Sequence, residues 1–184
     1  LEQLRYGDPC PASNNLSHVL LVDLLLNHRL DGRLLTLTEL LLQRLLSSQK
    51  ADGSIYDGNT TGIKTQTALA LWSLTFHPDK ALTIDVRANA LAYMLSNKQQ
   101  NQDWVYWNTD HNTGWLNSPE AMTALVTLAA SRFMADAEEL DQQTEYASLL
   151  SDIESLSSGI KQYYLSRAGS LGDDNLNAVF ILTG

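Results

Sequence analysis

Gln49-Lys50-Ala51-Asp52-Gly53-Ser54-Ile55 follows the apolar pair Leu45-Leu46 and leads into Thr67-Ala68-Leu69-Ala70-Leu71. The order is helix, Gly/Asp-rich loop, short Ala/Leu-rich helix. The same grammar returns from Leu95 through Asp103-Trp104 and Gly114-Trp115 to Thr123-Ala124-Leu125-Val126-Thr127-Leu128. A weaker copy runs from Leu165 through Gly169-Ser170-Leu171-Gly172-Asp173-Asp174 to Asn177-Ala178-Val179-Phe180-Ile181-Leu182. Thr67, Thr123 and Asn177 stand at a nearly constant interval. A fixed period of paired helices predicts a stacked or ring-shaped helical repeat, because no single pair buries its apolar face alone. The reading is one domain over 1–184, with repeats at approximately 35–78, 82–134 and 150–184.

Composition narrows the partners. The chain has 184 residues, of which 44% are hydrophobic, enough for one domain with a sizeable core. A formal charge of −9 argues against nucleic acid and anionic membranes, which require a basic face. No apolar run has the length of a membrane span. The single cysteine, Cys10, excludes an intrachain disulfide and any metal site built on two thiolates. Leu1 in place of an initiator Met leads us to expect a mature fragment or excised domain. Two glycosylation sequons, Asn15-Leu16-Ser17 and Asn59-Thr60-Thr61, are short enough to arise by chance.

Helical periodicity predicts about seven helices and an all-α fold. The first covers 13–28 and is apolar on most sides. Asp31-Gly32 breaks it, Thr36 or Thr38 caps the second, and Leu40, Leu41, Leu45 and Leu46 form that helix's apolar side. The third runs over 65–76 and stops before His77-Pro78; the fourth runs over 83–97. Ser118-Pro119 opens a fifth reaching Met134, with Ser118 as N-cap and Pro119 at the first helical position. Residues 137–167 read as one polar helix, or as two that break at Ser157-Ser158-Gly159, and 176–182 as the last helix. Alternation of small-residue and charged helices predicts inner helices at odd positions and outer ones between. Charges such as Arg87 and Lys98 then face outward. No strand signal appears beyond a few residues around 104–107.

The Gln49–Ile55 stretch, set between Leu45-Leu46 and an Ala/Leu helix, resembles the repeat of the α/α-toroid superfamily. That superfamily holds the squalene and terpenoid cyclases, prenyltransferase β-subunits, thioester domains of complement and alpha-2-macroglobulin proteins, and cobalamin carriers. In this loop Gly53 permits the turn, Asp52 or Ser54 bonds loop N–H groups, and Gln49 ties the helix end to its neighbour. The cyclase Asp-x-Asp-Asp motif is missing, and Cys10 precedes the first repeat, away from where a prenyltransferase zinc ligand belongs. Gly114-Trp115-Leu116-Asn117-Ser118-Pro119-Glu120-Ala121 is similar to a stretch of bacterial alpha-2-macroglobulin-like toroids. Tyr6-Gly7-Asp8-Pro9-Cys10 sits about where those carry Tyr-Gly-Cys-x-Glu-Gln, but Pro11-Ala12-Ser13 follows instead of x-Glu-Gln. The resemblance implies a partial toroid without the thioester, a partner that is another protein or the rest of a larger chain, and an extracellular or periplasmic location.

The richest chemical segment is 102–115. Trp104, Tyr106, Trp107 and Trp115 with Asp110 and His111 form a candidate ligand-binding set, an aromatic platform beside a carboxylate and an imidazole. Were the chain an enzyme, Asp110 and His111 would be its catalytic pair. The structural alternative makes Trp104 and Trp115 plugs between repeats, with Asp110 and Asn112 capping turns. No metal set and no cofactor are indicated. The leading expectation is a non-catalytic interaction module. Its competitors are a toroid enzyme of the cyclase or polysaccharide-active kind, and a carrier of a hydrophobic or cobalamin-like ligand in a central cavity.

Overall fold

A computed structural model of the chain describes residues 32–56, 62–101, 103–110 and 118–168. They form helices α1 (Gly32–Ser47), α2 (Ile63–Leu74), α3 (Lys80–Ser96), α4 (Pro119–Glu139) and α5 (Ala147–Ala168). Between α3 and α4, strands β1 (Gln99–Gln100) and β2 (Val105–Tyr106) pair antiparallel, Gln99 opposite Tyr106 and Gln100 opposite Val105. Among the described residues the fold is all-α apart from this ribbon and an isolated antiparallel bridge between Gln49 and Ile55. The expected helices over 13–28 and 176–182, the third repeat's loop, Cys10 and both sequons lie outside the described residues.

In α1, Thr38, Leu41, Leu42 and Leu45 are buried, an i, i+3, i+4, i+7 stripe facing the core. Leu40, expected in that stripe, is 50% exposed; Leu42 takes its place. The helix also begins at Gly32, so Thr36 and Thr38 sit inside it and do not cap it.

Helix α2 is buried from Thr65 through Leu71 on every side, as its small Ala and Thr side chains allow. Its partners are α3 and α4, which also pack on one another. A five-residue turn joins α2 to α3, where the Asp79 carboxylate accepts from Leu82 N–H at 3.1 Å and starts the helix earlier than expected. Ser118 Oγ accepts from Ala121 N–H at 3.1 Å, with Pro119 in the first turn. The sequence stated this cap in full.

The C-terminal half departs further from expectation. Helix α4 continues to Glu139 because Asp136 and Ala137 are buried, and Asp141, at φ 56°, turns the chain out of it. Helix α5 is uninterrupted through Ser157-Ser158-Gly159. A Cβ on Gly159 would lie 2.6 Å from Val105 Cγ2, so this glycine is a notch that lets α5 lie on β2. Arg87, expected on an outward face, is 0% exposed. Its Nη1 donates to Asp136 Oδ2 at 2.6 Å, and its guanidinium lies 5.9 Å from the centre of the Phe133 ring. Burial pushes the Arg87 guanidinium below its usual range, and the Asp136 bond and charge oppose that. The other side of Asp136 receives Lys80 at 2.9 Å, and Lys80 also reaches Glu139 at 2.6 Å.

Gly53 fixes how the first loop meets α3. Its φ is +87°, and a Cβ there would fall 2.2 Å from the backbone oxygen of Asn89. Left-handed geometry and steric overlap act together at one position. Gly53→Ala is therefore expected to lose on the order of 3 kcal/mol of unfolding free energy, read by urea denaturation. A loss below about 0.5 kcal/mol, the scale of an ordinary surface change, would contradict the close approach.

Candidate functional site

The two loops that precede α2 and α4 are built on one plan. In the first, Lys50 N–H donates to Ser54 O at 2.8 Å, and Asp52 Oδ1 accepts from Ser54 N–H at 3.0 Å and Ser54 Oγ at 2.6 Å. The Ser54 bonds hold the Asp52 carboxyl below the ordinary carboxylate range. Gln49 bridges outward: its Nε2 donates to Gly53 O at 3.2 Å and to Val86 O of α3 at 2.8 Å. In the second loop, Asn101 plays the turn-making part. Its Oδ1 accepts from the N–H groups of Asp103 at 3.0 Å and Trp104 at 2.7 Å.

Each loop then hands one backbone amide to the fifth residue of the helix that follows. Ile55 N–H donates to Thr67 Oγ1 at 3.0 Å, and Trp107 N–H donates to Thr123 Oγ1 at 3.1 Å. Each threonine hydroxyl donates back four residues, Thr67 to Ile63 O and Thr123 to Pro119 O, both at 2.7 Å. Thr67 and Thr123 thus hold equivalent places, while the third copy lies outside the described residues. Both hydroxyls are buried, and each would leave an orphaned amide behind if lost.

Asp110 joins one unit to the other. Its Oδ2 accepts from Lys64 N–H at 2.8 Å; its Oδ1 accepts from Thr65 N–H at 3.1 Å and Thr65 Oγ1 at 2.9 Å. Those amides open α2, whose N-cap, Gly62, has no side chain to offer. The carboxylate also meets the positive end of the helix dipole. Three chain steps lead from Trp107 to Asp110, a reach of at most about 11 Å. The first turns of α2 and α4 therefore lie side by side, and the two packed helices run the same way.

The candidate ligand set divides. Trp107 is 1% exposed and its Nε1 donates to Met94 O at 2.7 Å, so it is a core plug with its one donor satisfied. Trp104 and Tyr106 are half-buried, alternating along the strand with buried Val105 and Trp107. The three rings are not gathered on one platform. Asp110 is exposed but engaged at α2, and His111 and Trp115 lie outside the described residues.

A cluster absent from the sequence reading surrounds the start of α4. Tyr163 is 0% exposed and stacks on Tyr106 with centroids 4.7 Å apart; its hydroxyl donates to Glu120 Oε1 at 3.0 Å. Tyr164 donates to the Glu120 backbone oxygen at 3.2 Å, and Arg167 reaches Glu120 Oε1 at 3.5 Å. The i, i+4 relation of Gly159 and Tyr163 was the available signal, since it puts a notch and a ring on one face of α5. Another tyrosine of the same kind, Tyr146, donates to the Asp85 carboxylate.

Among the described residues no three of His, Cys, Asp or Glu gather to hold a metal, and no helix is long and apolar enough to cross a membrane. Comparison with protein-family models, with curated proteins and with solved structures gives no match.

The tyrosine cluster sets an alkaline limit. Burial raises the Tyr163 phenol well above 10.0, with Glu120 adding to it and Arg167 opposing; burial first, then Tyr163 and Glu120, raises Tyr164. A raised folded-state value means that this stabilisation is complete below the ordinary phenol range and lost as pH climbs through the folded value. Part of the tyrosinate absorbance should therefore appear only together with loss of helical circular dichroism, and Tyr163→Phe should reduce that part. Complete tyrosine ionisation with helicity intact would contradict the assignment.

Proposed function

We propose that the chain is a non-catalytic interaction module built as a section of an α/α toroid. In this reading it is of the thioester-domain type found in alpha-2-macroglobulin and complement-like proteins, without the reactive thioester. Several features support the toroid geometry. Successive loop–helix units repeat the Thr67 and Thr123 ties. The helices after the loops, α2 and α4, pack on each other, and α3 packs on both. Small residues fill the buried stretches of α2 and of the first half of α4. The partner is another protein or the remainder of a larger chain, and the location extracellular or periplasmic.

One observation carries the non-catalytic reading. Asp110, the carboxylate best suited to acid–base work, is held by three donors at the start of α2. A general base keeps a lone pair directed at the proton that it removes; here both oxygens serve a helix end. The indole expected to stack on a ligand, Trp107, is inside the core with its N–H engaged.

The test is a turnover assay on polysaccharides and prenyl diphosphates, with mass spectrometry after methylamine treatment. The expected result is no turnover and no methylamine adduct. Turnover that disappears in Asp110→Asn while circular dichroism stays native would overturn the reading in favour of a toroid enzyme. A methylamine adduct at Cys10 would overturn the absence of the thioester.

A further inference from the structure

We propose that the groove between α4 and α5 is the seat of this chain's own segment 176–182, the stretch read from the sequence as the helix of the third repeat. The groove has a volume of about 220 Å³. Leu95 of α3, Trp107, Ala130 and Leu156 form an apolar floor, and exposed Ser131, Glu154 and Ser157 stand at the rim. With α3 at the floor, the groove opens away from the first unit. Apolar surface continues past the rim: Ser157, Lys161 and Leu165 share one face of α5, and Leu165 is 58% exposed. Matching positions of the two units show that α4 is less covered than α2 on this side. Leu71 is fully buried and its counterpart Thr127 half-buried; half-buried Thr75 corresponds to exposed Ser131.

The repeat names the occupant. Helix α4, which follows the second loop, packs on both α2 and α3; the stretch that follows the third loop has α4 and α5 in the same relation. Asn177 stands where Thr123 does, so Phe180 comes level with Val126 and Ile181 with Thr127, both groove residues. Ala178-Val179-Phe180-Ile181-Leu182 is an unbroken apolar run, as the hydrocarbon lining requires. An apolar cavity of about 150 Å³ accepts benzene, so this space takes the Phe180 ring. The chain also leaves α5 at the right end, since Tyr164 and Arg167 contact Glu120 in the first turn of α4. Residues 169–176 can span up to about 29 Å, against about 10 Å for the width of one helix. The inference rests on the repeat within the proposed module, and not on its thioester-type kinship or on the absence of turnover.

Hydrogen exchange on the full chain, read by mass spectrometry, tests it. The amides of 178–182 are expected to exchange at least about tenfold more slowly than those of an unstructured chain, at every protein concentration. Leu165→Glu, an exposed change on α5, and Phe180→Glu in the segment should each speed that exchange roughly tenfold, while α2 and α3 exchange as in the wild type. Wild-type exchange over 178–182 at the unstructured rate, with α2 and α4 still protected, would overturn the docking and leave the repeat standing. Protection indifferent to both substitutions would also overturn it. Protection that vanishes on dilution would overturn it in favour of a second copy of the chain.

Discussion

The Asp110 carboxylate at the start of α2 is the contact on which the arrangement of the two units depends. A helix begins with N–H groups that its own turns cannot satisfy. Where most helices supply an oxygen from the preceding residue, α2 has Gly62, in left-handed geometry and without a side chain. The missing oxygen comes from the loop of the next unit. Neither unit is complete alone: the first lacks its own cap, and the second gives it the Asp110 carboxylate. This is a polar version of the rule that repeats are stabilised by their neighbours. It also explains why the most chemically suggestive acid of the chain is best understood as a structural group.

Two further constraints lock α3 against its neighbours. On one side Gly53 comes into contact with the Asn89 backbone, and Gln49 donates to Val86 O. On the other, Arg87 reaches across to Asp136 of α4 from a fully buried position. Among the described residues Arg87 Nε and Nη2 have no hydrogen-bond partner, so the pair is only partly compensated for desolvation. Such pairs contribute little net stability, and breaking one partner leaves an uncompensated charge. Their effect here is on register: α3 has one longitudinal position relative to α4 at which guanidinium, carboxylate and the Phe133 ring meet.

Features legible in the sequence were those whose partners lie within a few residues. The Gln49–Ile55 loop could be assigned role by role because Asp52, Gly53 and Ser54 act on one another. Ser118-Pro119 announced its helix for the same reason. The interval between Thr67 and Thr123 was visible as a pattern, although the amides that those hydroxyls accept were not. What escaped reading depends on distant partners. Arg87 reads as a surface charge until Asp136, 49 positions away, is placed beside it. Gly159 reads as a helix break until Val105 occupies the space where its side chain would be. Glu120 and Arg167 carry no local signature, and Tyr163 only its i, i+4 spacing from Gly159. Short strands such as β1 and β2 fall below the length at which alternation is detectable.

The most direct measurement of the inter-unit cap is a double-mutant cycle between Asp110→Ala and Thr65→Ala by equilibrium denaturation. Thr65 Oγ1 and its amide share one Asp110 oxygen, so the two losses should be coupled by about 1 kcal/mol. Free energies that add to within about 0.3 kcal/mol would mean that the two side chains act independently, and the joining of the units through Asp110 would be wrong.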